Sequence, residues 1–346
     1  MNEKLAAIRQ MLEKEKINAV VVEKQNNFSW LTGGRCFVGL TGDGASGALV
    51  ITKDKAVLLA DSIEGPRLSQ EECDWPLEQY VWHDRAGREE ILQKLTGGNY
   101  KTDSDLAGWF HENRIILNEA ELEDYRKAGK ICAEILENEM KKLKPGTTEL
   151  ELAGALSAGM WANQIEPIVL LIAFDDRIFK YRHPVPTAKK LDRYAMGVIC
   201  GRYKGLVVSA TRLVHIGPVP AATQAIIDAA AKVDALVINA TRPGTTLGKI
   251  FTKICDTYKE LGYPGEEKLH HQGGLAGYGA REAIANPTAA LEVKVGQAYA
   301  WNPSITGAKC EDTVLVLPEG NEIITHTGDW AYVEVDGLQR PVALVI

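Results

Sequence analysis

A chain of 346 residues is too long for one ordinary hydrophobic core and comfortable for two domains. Its 45% hydrophobic and 25% charged content is that of a globular protein. A formal net charge of −7 with no long Lys/Arg run excludes the basic footprint of a nucleic-acid binder.

No apolar run reaches the roughly 18 residues that a membrane helix needs. The opening stretch MNEKLAAIRQMLEKEK is charged and lacks the apolar segment of a signal peptide. A cytoplasmic protein without membrane contact is therefore expected. The six cysteines are scattered and form no CxxC pair, which points to free thiols rather than disulfides or a zinc site.

In chain order, residues 3–16 have the apolar spacing of an amphipathic helix, and INAVVVEK from Ile17 reads as a buried strand. NNFSWLTGG then reads as turn residues around an aromatic pair. GALVITKDKAVLLAD reads as a hairpin, because two apolar runs flank Lys53-Asp54-Lys55. A helix around Ser62–Glu72, a short strand at Tyr80–Trp82 and a helix at Arg88–Leu95 complete an α/β region of residues 1–115. A second domain, 116–346, opens with a long helical pattern. Asn118 is placed to cap it, with Glu121 three residues on, and Lys144-Pro145-Gly146 ends it. Thr148 caps a second helix. Strands dominate from Pro167 to Gly217, and helices follow at Ala221–Ala240 and Thr246–Leu261. The break RPGTT between them repeats KPGTT at 144–148, giving helix, Pro-Gly, helix twice. The remainder, from His270, is strand-rich.

This doubled pattern, together with NEAELEDYRKAGKICAEI and LKPGTTELELA, resembles the pita-bread fold shared by creatinase, prolidase, Xaa-Pro aminopeptidase and methionine aminopeptidase. Asn27-Phe28-Ser29-Trp30-Leu31-Thr32-Gly33 resembles a motif of the N-terminal domain that some members carry. The resemblance implies an α/β creatinase-like N-terminal domain and an α+β pita-bread C-terminal domain. It also implies two divalent metals held by two Asp, one His and two Glu, which would clamp and activate a water.

Placed on this chain, the first Asp position falls on Ile199 and the second on Ser209. No Asp or Glu occurs between Met196 and Arg212, so no shift of register restores the acids. HQGGL supplies His271, with Tyr278 seven residues on where relatives carry a second His. Asn302 stands at the first Glu position, and CEDT keeps the last as Glu311. Two protein ligands rarely hold a catalytic ion, so no metal and no cofactor are expected.

Creatinase keeps this fold without metals and cleaves a C–N bond with a histidine and glutamates. By that resemblance His183 is the general acid/base, with Glu311 and His271 positioning the substrate. Tyr278, Arg212, Asn302 and Ser209 are expected to line the substrate site, and Arg212 is the partner proposed for Glu311. Imidazole titrates near neutrality, so His183 can both take and give a proton. The basic stretch around it (Arg177, Lys180, Arg182, Lys189, Lys190, Arg193) is either a solvated hairpin or a rim that attracts an anionic molecule. Two functions stay open: metal-independent hydrolysis of a small amide, amidine or Xaa-Pro dipeptide-like compound, or non-catalytic binding of a peptide, metabolite or protein. The resemblance further implies a homodimer.

Overall fold

The structure is a computed structural model, and it describes residues 2–346. The chain divides into two compact units, residues 1–114 and 115–346.

The first unit runs α1 (Asn2–Glu15), β1 (Ala19–Lys24), α2 (Gln25–Thr32), β2 (Gly44–Thr52), β3 (Ala56–Asp61), a single turn α3 (Gly65–Arg67), β4 (Leu77–Tyr80), α4 (Arg85–Thr96), β5 (Tyr100–Thr102) and α5 (Ala107–Arg114). Its sheet has the order β4-β3-β2-β1-β5. β2 pairs antiparallel with β1 and β3, while the edge strands β4 and β5 run parallel to their neighbours. The stretch expected to be turn, NNFSWLTGG, is helical over α2. Gly33 ends it in the left-handed conformation with φ 75°. Asn27, just inside the helix, donates to Asp103 at 2.8 Å and accepts from Arg114, so this polar residue is satisfied although buried. The segment after β3 is split between α3 and a π-helical turn at Leu68–Glu72, in place of one regular helix.

The second unit begins with α6 (Glu119–Lys141) and α7 (Glu149–Ala162). Each starts with a capping box, Asn118 with Glu121 and Thr148 with Glu151. Then come β6 (Glu166–Phe174), the short α8 (Asp176–Lys180), β7 (Tyr194–Tyr203) and β8 (Leu206–His215). The second helix pair is α9 (Ala221–Ala240) and α10 (Leu247–Glu260), and Thr246 caps α10 by accepting from Lys249 N. The two PGTT repeats thus do the same job, each capping the second helix of a pair. β9 (Gly273–Ala276), β10 (Ala283–Ile284), β11 (Ala298–Trp301), β12 (Ser304–Ile305), β13 (Ala308–Lys309), β14 (Asp312–Leu317), β15 (Gly320–Ile323), β16 (Tyr332–Val335), β17 (Leu338–Pro341) and β18 (Ala343–Val345) complete the chain.

Two sheets result, ordered β18-β8-β7-β6 and β10-β9-β11-β14-β15. The helix pair α6–α7 covers the first, with α6 on β7 and β8 and α7 on β6. The sheets meet at one antiparallel bridge between Thr211 and Glu311, where Thr211 N donates to the Glu311 carbonyl at 3.1 Å. That bridge puts the middle of one sheet's central strand, β8, against the glutamate singled out from the sequence. All six cysteines are free thiols, five of them buried.

Candidate active site

A cavity of about 290 Å³ opens within the second unit where the two sheets converge. Its apolar floor comes from paired positions on neighbouring strands, because Val169 sits opposite Cys200 and Leu171 opposite Val198. Side chains alternate along a strand, so Val198 and Cys200 share this face while Ile199 points to the other. The position first assigned to an acid is therefore off by one. Val198, paired with Thr211, is the residue that faces the cavity, and it is equally unable to ligate.

Glu311 is buried, and both of its oxygens are engaged. Thr211 Oγ1 donates to one at 2.6 Å, and Arg281 Nη2 donates to the other at 3.1 Å. The second arm of the same guanidinium, Nη1, reaches Ser209 Oγ at 3.3 Å. Ser209 is itself fully buried and contacts Cys200 Sγ at 3.3 Å. Arg281 thus spans two positions that the family resemblance assigns to metal ligands. Asn302, at a third such position, lines the cavity with its Oδ1 buried and unpartnered among the described residues. Lys309, on β13 beside Glu311, is 5% exposed and also faces the cavity.

The histidines come from two loops. His183 follows β6 and α8, and His271 precedes β9. His270, which carried no signal in the sequence, joins them, and the three offer nitrogens within 4.8 Å of one another. Gln272 braces this loop: its Nε2 donates to the His270 carbonyl at 2.6 Å, and its Oε1 accepts from Tyr258 at 2.7 Å. Gly273, at φ 104°, lets the loop turn into β9, since a Cβ there would run into the Ala300 carbonyl oxygen.

The hydrogen bonds assign the tautomers. His270 Nδ1 donates to the His271 carbonyl, so His270 Nε2 carries a lone pair and accepts from His183 Nε2–H at 2.9 Å. His183 Nδ1 is then the basic nitrogen. Burial, with the Lys309 charge next, pushes His270 down to about 2. Burial and then Arg281 push His271 down to about 4. His183 is also lowered, first by burial and then by Lys309, with Glu311 opposing. All three imidazoles are accordingly neutral at pH 7.

Of the residues expected to line the substrate site, Ser209 is fully buried and no part of the cavity wall, and two more lie elsewhere. Arg212 is fully buried and its guanidinium is spent on Glu137 at 2.8 Å and Asp312 at 3.1 Å, so it neither lines the cavity nor pairs with Glu311. Tyr278 is buried, and its hydroxyl donates to Glu121 at 2.7 Å, which is a packing role. Of the basic stretch, Arg177 pairs with Glu149, Lys180 and Lys189 with Asp176, and Arg182 with Glu266. All four are engaged in ion pairs with three carboxylates, Lys180 and Lys189 sharing Asp176, rather than standing as an unpaired rim.

A pair of divalent ions held by carboxylates does not fit these residues. Among the described residues the cavity wall carries one carboxylate, Glu311, and a guanidinium already bridges from it to Ser209. Burial is the main cause that keeps protons off His270 and His271, and the positive charges that add to it, Lys309 at both and Arg281 at His271, also oppose a divalent ion.

Helix pairs on a sheet, repeated once around a cavity, define a pita-bread hydrolase scaffold. The model of metallopeptidase family M24 matches residues 123–318, and that of the creatinase/prolidase N-terminal domain matches residues 4–116. The chain belongs to this family of peptidases. It is 23% identical to a Xaa-Pro dipeptidase of Pyrococcus horikoshii, over 94% of this chain and 98% of that relative. It is 28% identical to an uncharacterized peptidase of Staphylococcus haemolyticus over 70% and 71% of the two chains. Among solved structures, the prolidase from Pyrococcus horikoshii superimposes with a TM-score of 0.78 at 21% identity, covering 97% of this chain and 100% of that one. The Xaa-Pro dipeptidase from Bacillus anthracis gives 0.76 at 17% identity, with 99% coverage of each. Among the described residues, no helix is long and apolar enough to cross a membrane.

Proposed function

We propose that this protein hydrolyses a C–N bond in a small amide, amidine or Xaa-Pro dipeptide-like substrate without a two-metal centre. The observation that carries the reading is the meeting of a neutral His183 with the Arg281–Glu311 pair in one small cavity. Positive charge that ions would supply is present as a guanidinium aimed inward.

In this reading His183 Nδ1 takes a proton from a water as the water oxygen attacks the scissile carbon. Asn302 and Arg281 hold the substrate, and Arg281 offsets the charge that develops on its oxygen or nitrogen. The protonated His183 then donates to the leaving nitrogen, so the proton taken in the first half is returned in the second. His271 and His270, held neutral, position His183 and the water without competing for that proton. The same family resemblance supports a homodimer as the working form, and the mass in solution by light scattering tests it.

Turnover of an amide, dipeptide and guanidino panel by EDTA-treated protein tests the reaction. His183→Ala is expected to reduce turnover by about 10²–10⁴-fold. No turnover of any panel member, or undiminished activity in His183→Ala, would overturn the proposal. A second reading, non-catalytic binding, is favoured by one observation: Thr211 and Arg281 already occupy both oxygens of the cavity's carboxylate. Thermal stabilisation by a panel compound without product would support that reading instead.

A further inference from the structure

The cavity wall changes character at one strand boundary. On the β6–β7 side the facing pairs are Val169 with Cys200 and Leu171 with Val198. One strand further, the same face continues as Ser209 opposite Cys200 and Thr211 opposite Val198. Those two hydroxyls carry the charged groups of the site. Ser209 Oγ accepts from Arg281, and Thr211 Oγ1 donates to Glu311. The Cys200 thiol is turned to Ser209 Oγ at 3.3 Å. The β6–β7 half of the floor therefore offers a ligand no charged group. Val169 and Leu171 are only half-buried there, so they still have apolar surface to lose to a ligand.

An aliphatic chain laid on that half takes apolar surface out of water, which is worth about fourfold in affinity for each methylene buried. An ammonium in the same place meets no acceptor. The one carboxylate on the cavity wall, Glu311, has both oxygens taken by Thr211 and Arg281, and Arg281 and Lys309 set two basic side chains against it. A charge brought into such a place without a partner is costly.

We propose that the ligand of this cavity is an uncharged aliphatic amide, with its alkyl chain on Val169, Leu171 and Val198, and that a free α-ammonium is rejected. The amide carbonyl accepts from Arg281, and the buried, unpartnered Asn302 Oδ1 accepts an amide N–H. The inference rests on reading the cavity as an amide site, and it narrows the substrate within that reading. Neutral amides are favoured over amidinium compounds and over dipeptides with a free amino end.

The test is an NMR titration of the full-length protein with isovaleramide and with L-valinamide. The two share one skeleton and differ by the α-amine, which is mostly protonated at pH 7. Isovaleramide is expected to bind at least about tenfold more tightly. Acetamide, propanamide and butanamide should tighten by about fourfold a step. Val169→Asp puts a carboxylate on the half-buried floor and should reverse the preference, with circular dichroism checking that the variant is folded. Valinamide binding as tightly as isovaleramide to the unsubstituted protein, a flat alkyl series, or a folded Val169→Asp that keeps the original preference would overturn the proposal. All of these are binding measurements. A failed ranking with turnover intact sinks this inference alone, and a correct ranking without turnover sinks the hydrolytic reaction alone.

Discussion

Replacing Arg281 with Met removes the cation nearest Glu311 while keeping a side chain of similar reach. Glu311 and Arg281 are 3% and 10% exposed at their side chains and 3.1 Å apart. In Arg281→Met the buried carboxylate keeps a single direct donor, the Thr211 hydroxyl at 2.6 Å. Breaking one side of a buried pair costs about 3–5 kcal/mol. Lys309 still senses Glu311 across the cavity and takes up part of that loss, so a value near the lower end is expected. Urea denaturation of variant and wild type at pH 8 reads this cost. The double variant Arg281→Met/Glu311→Gln removes both charges and should recover most of the loss. A single-variant cost under about 1 kcal/mol, or a double variant no more stable than the single, would refute the idea that Arg281 neutralises this site.

The histidine pair sets a pH dependence of stability. His270 and His271 are lowered to about 2 and about 4, so as pH falls from 6.5 toward 4 the unfolded chain takes up protons that the fold refuses. The thermal midpoint should drop over that range, and less so in His270→Gln/His271→Gln. Thr148→Ala removes one capping box remote from the cavity and should cost about 0.5–2 kcal/mol in denaturant titrations with turnover unchanged. Gly201→Ala would set a Cβ 2.6 Å from Cys132 Sγ and Ile165 Cγ2, and the resulting overpacking should cost about 1–3 kcal/mol by the same assay.

Local chemistry made much of this architecture readable. Asn118 with Glu121 and the two PGTT threonines satisfy amide groups within a few residues of themselves, so their capping roles follow from spacing. The helix Ala221–Ala240 was bounded correctly, because its apolar run is long and Pro220 precedes it. The failures have tertiary causes. α2 is helical although its residues favour turns, because Asn27 is clamped by Asp103 and Arg114 from far along the chain. Arg281 sits in an irregular loop, and no periodic pattern there says where a side chain will aim. Lys309 left a usable trace, lying two residues before Glu311 along an extended segment and thus on the same side. Val198 in place of Ile199 is the reverse lesson: in a strand, an error of one residue reverses the face.

The guanidinium that bridges Ser209 and Glu311 is written into the chain. It is delivered once per molecule at the moment of folding, cannot be stripped by a chelator or lost on dilution, and is set by no cellular supply. Tuning such a site would proceed by codon changes in one loop, where a metalloenzyme could instead exchange one ion for another.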